Sequence, residues 1–363
     1  MTTHKTLNSK DKSRYNRHLL LDKVGESGQL KLKQAKVLVI GAGGLGCPIL
    51  QYLTAAGVGT IGIVDFDVVD ESNLQRQILF GVDDIGQLKS ETAKKKLIAQ
   101  NPLINIEAFN YALTNQNAIE LFKQYDIIVD GTDNFSTRYM VSDACVLTNK
   151  PLVYGAIHKF EGQVSVFNYK DGPTYRCLFP NPPEANSVQS CSEIGVIGVL
   201  PGIIGTQQAN ETLKIILDIG NVMSGRLLMY DALAPSFLEI KINNSANLSD
   251  FGISSIADFE KFDYSFTCDT NTTKSQFTIH DLNKLPNTTI VLDVREEWES
   301  PEVENKSVIK IALDDLDDFI DKIPSNEPVY VVCQKGGRSQ AAIDFLKSEY
   351  KYTNLINIEG GIQ

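Results

Sequence analysis

Residues 37–77 constrain this chain more than any other stretch. The segment opens with Val37-Leu38-Val39-Ile40, continues as Gly41-Ala42-Gly43-Gly44-Leu45-Gly46, and runs through an apolar stretch to Gly57. It resumes as a second apolar run over 60–64 that stops at Asp65. The pattern reads as strand, glycine turn, helix and strand, which is one βαβ unit. Glycines permit a tight turn and a close approach of the backbone to a pyrophosphate, whose charge is favoured by the helix N-terminus that follows. An acid at the end of the second strand can hydrogen-bond a ribose hydroxyl, so Asp65 is a candidate nucleotide ligand.

That fingerprint is shared with dehydrogenases. The residues after it separate the two chemistries. Asp67-Val68-Val69-Asp70-Glu71-Ser72-Asn73-Leu74-Gln75-Arg76-Gln77 puts acid, amide and guanidinium groups beside the ribose acid. A guanidinium forks onto phosphate oxygens and amides orient them. Hydride transfer has no use for such a cluster, whereas cleavage of ATP between its phosphates does.

With 363 residues the chain is long enough for two domains. A net charge of −11 argues against a non-specific nucleic-acid binder. No apolar run approaches the roughly 18 residues of a membrane span, and residues 1–14 lack an apolar signal core. The cysteines (Cys47, Cys145, Cys177, Cys191, Cys268, Cys333) are scattered with no CxxC pair, so reduced thiols and a cytosolic location are expected. His4, His18, His158 and His280 are equally scattered and form no metal-binding or triad pattern.

Several residues carry two readings. Arg14 and Arg17 either lie on a solvated helix face or reach a phosphate. Cys47, at the N-terminus of a helix over 44–56, either has a lowered pKa or packs as a small buried residue. Lys89, opening a helix that ends near Gln100, is a point charge for a phosphate or the first lysine of a basic face with Lys94, Lys95 and Lys96. A strand over 125–130 delivers Gly131-Thr132-Asp133-Asn134 at its carboxyl end, where open α/β sheets bind ligands. Asp133 could hold magnesium that bridges phosphates, or it could cap the next helix.

Further strands are expected over 150–154, 158–169, 226–230 and 237–242, with an apolar helix over 202–218. A long polar loop ends at Cys191, which is a candidate nucleophile or a structural thiol. The domains are read as 1–245 and 276–363, joined by a polar linker over 246–275.

The second domain is a smaller α/β unit, with strands at 289–294, 328–332 and 354–358 and an amphipathic helix expected over 313–320. Cys333 is its strongest feature. It lies between a strand and a helix in the loop Cys333-Gln334-Lys335-Gly336-Gly337-Arg338-Ser339. Backbone N–H groups, the helix N-terminus and Arg338 favour a thiolate there. Four residues separate Cys333 from Arg338; this loop suits a sulfur atom carried on the cysteine, whereas phosphatase loops are one residue longer.

On these motifs, with Arg14-Tyr15-Asn16-Arg17 and Gly86-Gln87-Leu88-Lys89, residues 14–242 resemble the MoeB/ThiF adenylyltransferases, which are related to ubiquitin-activating enzymes. Residues 276–363 resemble a rhodanese domain. The resemblance implies a Rossmann-like ATP-binding domain with a mostly parallel sheet, followed by a small α/β rhodanese domain. It implies that Gly41, Gly43, Gly44 and Gly46 line the ATP phosphates, that Asp65 takes the ribose, and that Asn73, Arg76 and Lys89 hold the triphosphate. Asp133 would bind magnesium. Arg17 would reach the neighbouring site of a homodimer, Cys191 would link covalently with the substrate, and Cys333 would bear a persulfide in the loop with Gln334, Lys335, Gly336, Gly337 and Arg338.

The implied partner is a ubiquitin-like sulfur-carrier protein ending in Gly-Gly, with a cysteine desulfurase as a candidate sulfur donor. Its carboxylate would be adenylylated and then converted to a thiocarboxylate in molybdopterin synthesis, thiamine synthesis or tRNA thiolation. Related enzymes hold zinc with two CxxC pairs. Here the first pair is Thr174 and Cys177, and the second has Cys268 with Ser265 or Asn271, so no structural zinc is expected. The alternatives are adenylylation alone with a docking rhodanese domain, an NAD-dependent oxidoreductase, and a nucleotide-gated scaffold.

Overall fold

The computed structural model describes residues 6–182, 195–234, 236–264, 277–303, 306–334, 336–358 and 360–362. The chain divides into two compact units, residues 1–270 and 271–363.

In the first unit, strands with apolar residues on both faces require cover on both sides, the condition for parallel pairing. β1 (Lys36–Ile40), β2 (Thr60–Val64), β3 (Asn105–Phe109), β4 (Ile127–Asp130) and β5 (Leu152–His158) run parallel. β6 (Glu161–Phe167), β7 (Arg226–Asp231) and β8 (Ser236–Lys241) extend the sheet antiparallel. The order is β3-β2-β1-β4-β5-β6-β7-β8. The winding reverses at β1, so the carboxyl ends of β1 and β4 open a crevice.

Val37 and Val39 pack into one core with the Gly46–Ala56 and Val199–Leu217 helices. Leu38 and Ile40 pack into the other with the Phe135–Leu147 helix. The helix after the glycine turn starts at Gly46, since the turn itself takes up Gly44 and Leu45, and it ends at Gly57 in the left-handed conformation (φ 84°). Gly57 lies against the Tyr15 ring, where a Cβ would come within 2.4 Å of it.

The segment read as a linker is partly built into this unit. Leu248, Ile253, Phe259 and Tyr264 join the second core, and the Tyr264 hydroxyl donates to Asp143 Oδ2 at 2.7 Å. Asp143 also receives a two-point ion pair from buried Arg176 (2.9 and 2.8 Å). These apolar residues come from a 3-10 turn, a short helix and the loops around them rather than from one periodic element, and the Phe259 and Tyr264 rings pack together with centroids 5.5 Å apart.

In the second unit, β9 (Ile290–Asp293), β10 (Ser307–Lys310), β11 (Val329–Val332) and β12 (Leu355–Asn357) form a parallel sheet in the order β10-β9-β11-β12. The Gly337–Tyr350 helix follows the cysteine loop. The helix expected over 313–320 is replaced by 3-10 turns at Leu313–Asp315 and Ile320–Lys322. Leu316 is still buried, but the paired aspartates at 314–315 and 317–318 have poor helix propensity and repel one another. Among the described residues no helix is long and apolar enough to cross a membrane.

Candidate active site

A cavity of about 340 Å³ lies at the carboxyl ends of β1, β2 and β4. Gly41, Gly43, Gly44, Asp65, Arg76, Lys89 and Asp133 all line it. Gly41 has φ +90°, and a Cβ there would lie 2.9 Å from the Gly131 carbonyl oxygen. Gly46 is buried beneath the cavity rather than on its wall; a Cβ there would stand 2.0 Å from the Gly41 carbonyl oxygen, so glycine lets the helix close onto the turn.

Asp65 braces the glycine turn. Its Oδ2 accepts from the Ala42 N–H at 2.7 Å and its Oδ1 from the Asp67 N–H at 2.9 Å. Burial is the largest influence on its carboxyl and pushes it above the usual carboxylate range. Buried Lys89 donates to Asp67 Oδ2 at 3.1 Å, which holds an ammonium at the cavity wall. Half-buried Arg76 donates through Nη1 to the Ser72 carbonyl at 3.1 Å.

Asp133 is exposed, and the cap of the Phe135–Leu147 helix is its neighbour Asn134, whose Oδ1 accepts from the Thr137 N–H at 2.8 Å. The Asp133 carboxylate is therefore at the cavity without serving as the cap. Asp130 shapes this turn from below: Oδ1 accepts from the Thr132 N–H and hydroxyl at 2.9 and 2.7 Å.

Asn73 and Arg17 do not line the cavity. Asn73 Nδ2 donates to Ser72 Oγ at 3.3 Å. Arg17 is exposed on the short Asn16–Leu19 helix. Its neighbours in the motif are structural: the Tyr15 hydroxyl accepts from Asn101 Nδ2 at 2.9 Å, and Arg14 donates to the Gln100 carbonyl at 3.0 Å. Cys47 packs beneath the turn, and burial pushes its thiol up to about 12.

The cavity also contains residues that no single motif picked out. Gln77 is buried at its wall, with Nε2 on the side of Gly43 and Oε1 lacking a hydrogen-bond partner. Its place at the end of the 67–77 run was the available signal. Tyr111 and Leu113, just beyond β3, also line it, and no motif marks them. A second cavity, of about 360 Å³ between Tyr169 and Arg226, lies away from these strand ends and brings none of the candidate residues together.

In the second unit Cys333 is 1% exposed at the end of β11. The Gly336 N–H donates to its sulfur at 3.1 Å, and Ser339 Oγ lies 3.4 Å from it. Gly336 takes φ +92° just before the helix begins at Gly337. Arg338 is committed elsewhere: Nη1 and Nη2 donate to Glu299 Oε1 and Oε2 at 2.6 and 2.6 Å. Gln334 Oε1 is 3.5 Å from Arg295 Nη1. Lys335 and Cys191 lie outside the described residues.

Residues 15–250 match the ThiF family, and residues 278–363 match the rhodanese-like domain. The chain belongs to the ThiF family. It is 41% identical over 368 residues to the probable adenylyltransferase/sulfurtransferase MoeZ of Mycobacterium tuberculosis, covering 98% of this chain and 93% of that protein. It is 40% identical to the adenylyltransferase and sulfurtransferase UBA4 of Meyerozyma guilliermondii, covering 99% and 89%. The sulfur carrier protein adenylyltransferase of Thermus thermophilus is 51% identical over 237 residues, 64% of this chain and 88% of that protein. The E. coli MccB crystal structure with ATP shares the fold, with a TM-score of 0.57, 20% identity, and coverage of 67% of this chain and 74% of that one. This ThiF-family chain is thus an adenylyltransferase and sulfurtransferase, with the cavity in one unit and the thiol loop in the other.

The donor sets decide which metals fit. Magnesium is commonly held by one or two carboxylates plus phosphate oxygens, so exposed Asp133 at the cavity edge suits it. Zinc needs four thiolate or imidazole ligands in a structural site. Cys177 instead accepts from the Thr174 N–H at 3.4 Å and faces Asn244 Oδ1 at 3.5 Å and the Ala246 carbonyl at 3.7 Å. Ser265, Cys268 and Asn271 lie outside the described residues. Among the described residues no group of three or more acids, histidines and cysteines is placed to hold a metal.

Proposed function

We propose that this chain adenylylates the C-terminal Gly-Gly carboxylate of a ubiquitin-like sulfur-carrier protein and then replaces the adenylate with sulfur delivered by Cys333. The observation that carries this reading is the cavity at the turn of winding, where the glycine turn, Asp65, Arg76, Lys89 and Asp133 converge.

The carrier carboxylate attacks the α-phosphate of ATP, pyrophosphate leaves, and an acyl-adenylate forms. Such a reaction needs charge neutralisation and alignment more than a general base. Glycine N–H groups cradle the phosphates, Asp65 positions the ribose, and Arg76 and Lys89 oppose the negative charge that builds up. Magnesium, when bound at Asp133, supplies further charge neutralisation between phosphates. Arg17 reaches the neighbouring cavity in a homodimer, which accounts for its lying outside its own.

The terminal sulfur of a Cys333 persulfide then attacks the acyl carbon and AMP leaves, giving an acyl disulfide. A thiolate attacks the Cys333 sulfur, the S–S bond breaks, and the carrier departs as a thiocarboxylate. Cys191 is the candidate for that thiolate, and the disulfide so formed is returned to thiols by an external dithiol. A cysteine desulfurase would recharge Cys333. The reaction belongs in the cytosol, where these cysteines stay reduced.

The test is mass spectrometry of Gly-Gly carriers incubated with the protein, ATP, magnesium and a sulfur donor. A carrier with one oxygen replaced by sulfur supports the full reading and tells molybdopterin, thiamine and tRNA-thiolation carriers apart. A carrier that gains only AMP leaves the adenylylating half and makes the second unit a docking module. No change on any carrier, with no ATP–pyrophosphate exchange, overturns the reading.

A further inference from the structure

The loop around Cys333 has its charges arranged in an unexpected way for a site that would accept sulfur from small anions. Arg338 and Arg295 are the guanidinium groups that the described structure places around it, and each is matched to a carboxylate. Arg338 makes its two-point pair with Glu299, whose side chain is 11% exposed against 25% for Arg338. Arg295 is buried and donates to Asp293 through Nε at 2.9 Å and Nη2 at 2.8 Å. The pair geometry at Arg338 is locked from the other side too, because Glu299 Oε1 also accepts from the Glu296 N–H at 3.0 Å. Parallel guanidinium–carboxylate pairs are among the strongest charge-assisted contacts. A small dianion entering the loop must therefore compete with a carboxylate already seated on the guanidinium and also face that carboxylate's charge.

We propose that Glu299 is a specificity-determining residue of the sulfur-transfer site: by occupying Arg338 it disfavours small oxyanion donors such as thiosulfate. The inference rests on the reading of Cys333 as the sulfur-bearing thiol. With thiosulfate, the Cys333 thiolate attacks the outer sulfur, the S–S bond breaks, and sulfite leaves with the electron pair. The sulfane sulfur stays on Cys333 as a persulfide. Cyanide then removes it as thiocyanate and restores the thiolate. The leaving sulfite carries the charge that a free Arg338 would hold, and Glu299 denies it that contact.

The test compares the full chain with its E299Q, E299D and E299Q/R338Q variants. Two measurements are made: steady-state thiocyanate production from thiosulfate, and the rates at which iodoacetate and neutral iodoacetamide alkylate Cys333, followed by peptide mass spectrometry. E299Q keeps the side-chain shape and one acceptor, so Arg338 stays in place but loses its opposing charge. Its KM for thiosulfate should fall at least roughly tenfold with a smaller change in kcat. The iodoacetate-to-iodoacetamide rate ratio should rise by a similar factor.

E299D retains the carboxylate and should stay near the original protein. E299Q/R338Q should lose the gain, which shows that Arg338 carries it. Lys335, another cation of the loop in sequence, is the same in all four proteins. An unchanged alkylation ratio in E299Q, or a gain that survives R338Q, overturns the proposal. A raised ratio with no cyanide-labile sulfur on Cys333 in any variant supports the role of Glu299 and overturns the persulfide reading beneath it.

Discussion

The two chemical sites use one backbone device to opposite ends. Each sits where a parallel strand, β1 or β11, meets the N-terminus of a helix, Gly46–Ala56 or Gly337–Tyr350. At β1 the turn opens onto a cavity of about 340 Å³, with Arg76, Lys89 and Asp133 around it and the buried Gln77 acceptor unpartnered. At β11 the turn closes around one sulfur: Cys333 is 1% exposed, and Arg338 is already bound by Glu299. A ligand as large and charged as a triphosphate needs space and cations along the wall, even where one of them, Lys89, is paired with Asp67. A single transferred atom needs a shielded thiol and little else. Both turns join a parallel strand to a helix, and the difference lies in the space the surrounding side chains leave, a cavity of about 340 Å³ against one buried sulfur.

The sharpest way to break this division of labour is Cys333→Ala. Thiocarboxylate formation should fall to background, while ATP–pyrophosphate exchange stays within about twofold, since the groups proposed for adenylylation all lie in the first unit. Sulfur transfer that survived the change would remove Cys333 from its role. The reciprocal variant is Arg76→Ala, which removes a cavity cation. Exchange should drop on the order of a hundredfold, with cyanide-labile sulfur on Cys333 unaffected; equal losses in both assays would show that the two sites are not separable.

A smaller effect is expected from Gly46→Ala. The helical backbone there accepts alanine, but the added methyl would meet the Gly41 carbonyl oxygen at 2.0 Å. Such overpacking costs roughly 1–3 kcal/mol, and the unfolding transition of the first unit alone should move down by several degrees. A normal melting temperature would mean the helix can shift away from the turn without cost.

The smallest effect concerns pH. Arg338 holds the Glu299 carboxyl below its usual value of 4.5. A carboxyl lowered in the folded state stabilises above the unfolded value, and that contribution is lost as pH falls through the folded value. The second unit should therefore lose stability on acidification below about pH 4.5, and E299Q should flatten that loss in thermal melts taken between pH 7 and pH 3. Parallel slopes in the two proteins would place the acid sensitivity elsewhere.

Much of this molecule was legible before any coordinates. Glycines at 41, 43, 44 and 46 after an apolar strand dictated the turn, and a cysteine before two glycines dictated the second loop. Other features resisted a reading. Tyr111 and Leu113 reach the cavity only because β3 ends beside β2, a pairing between distant segments. Arg14-Tyr15-Asn16-Arg17 looks uniform on paper, yet Tyr15 is core, Arg14 is bound to the end of another helix, and Arg17 faces outward. Residues 246–264 looked like a linker because polar residues separate their short apolar pieces, whereas Leu248, Ile253, Phe259 and Tyr264 join the core of the first unit.

The sequence by itself determined where the backbone must turn tightly, which strands must be covered on both faces, and which residue could carry a sulfur. These are demands on single residues and their immediate neighbours, and residue types such as glycine and cysteine record them directly. Only the tertiary structure decided the partners: Lys89 with Asp67, Asp65 with the Ala42 N–H, Arg176 with Asp143, and Arg338 with Glu299. A charged side chain finds its partner through packing that brings remote segments within about 3 Å, and one-dimensional order carries no measure of that distance.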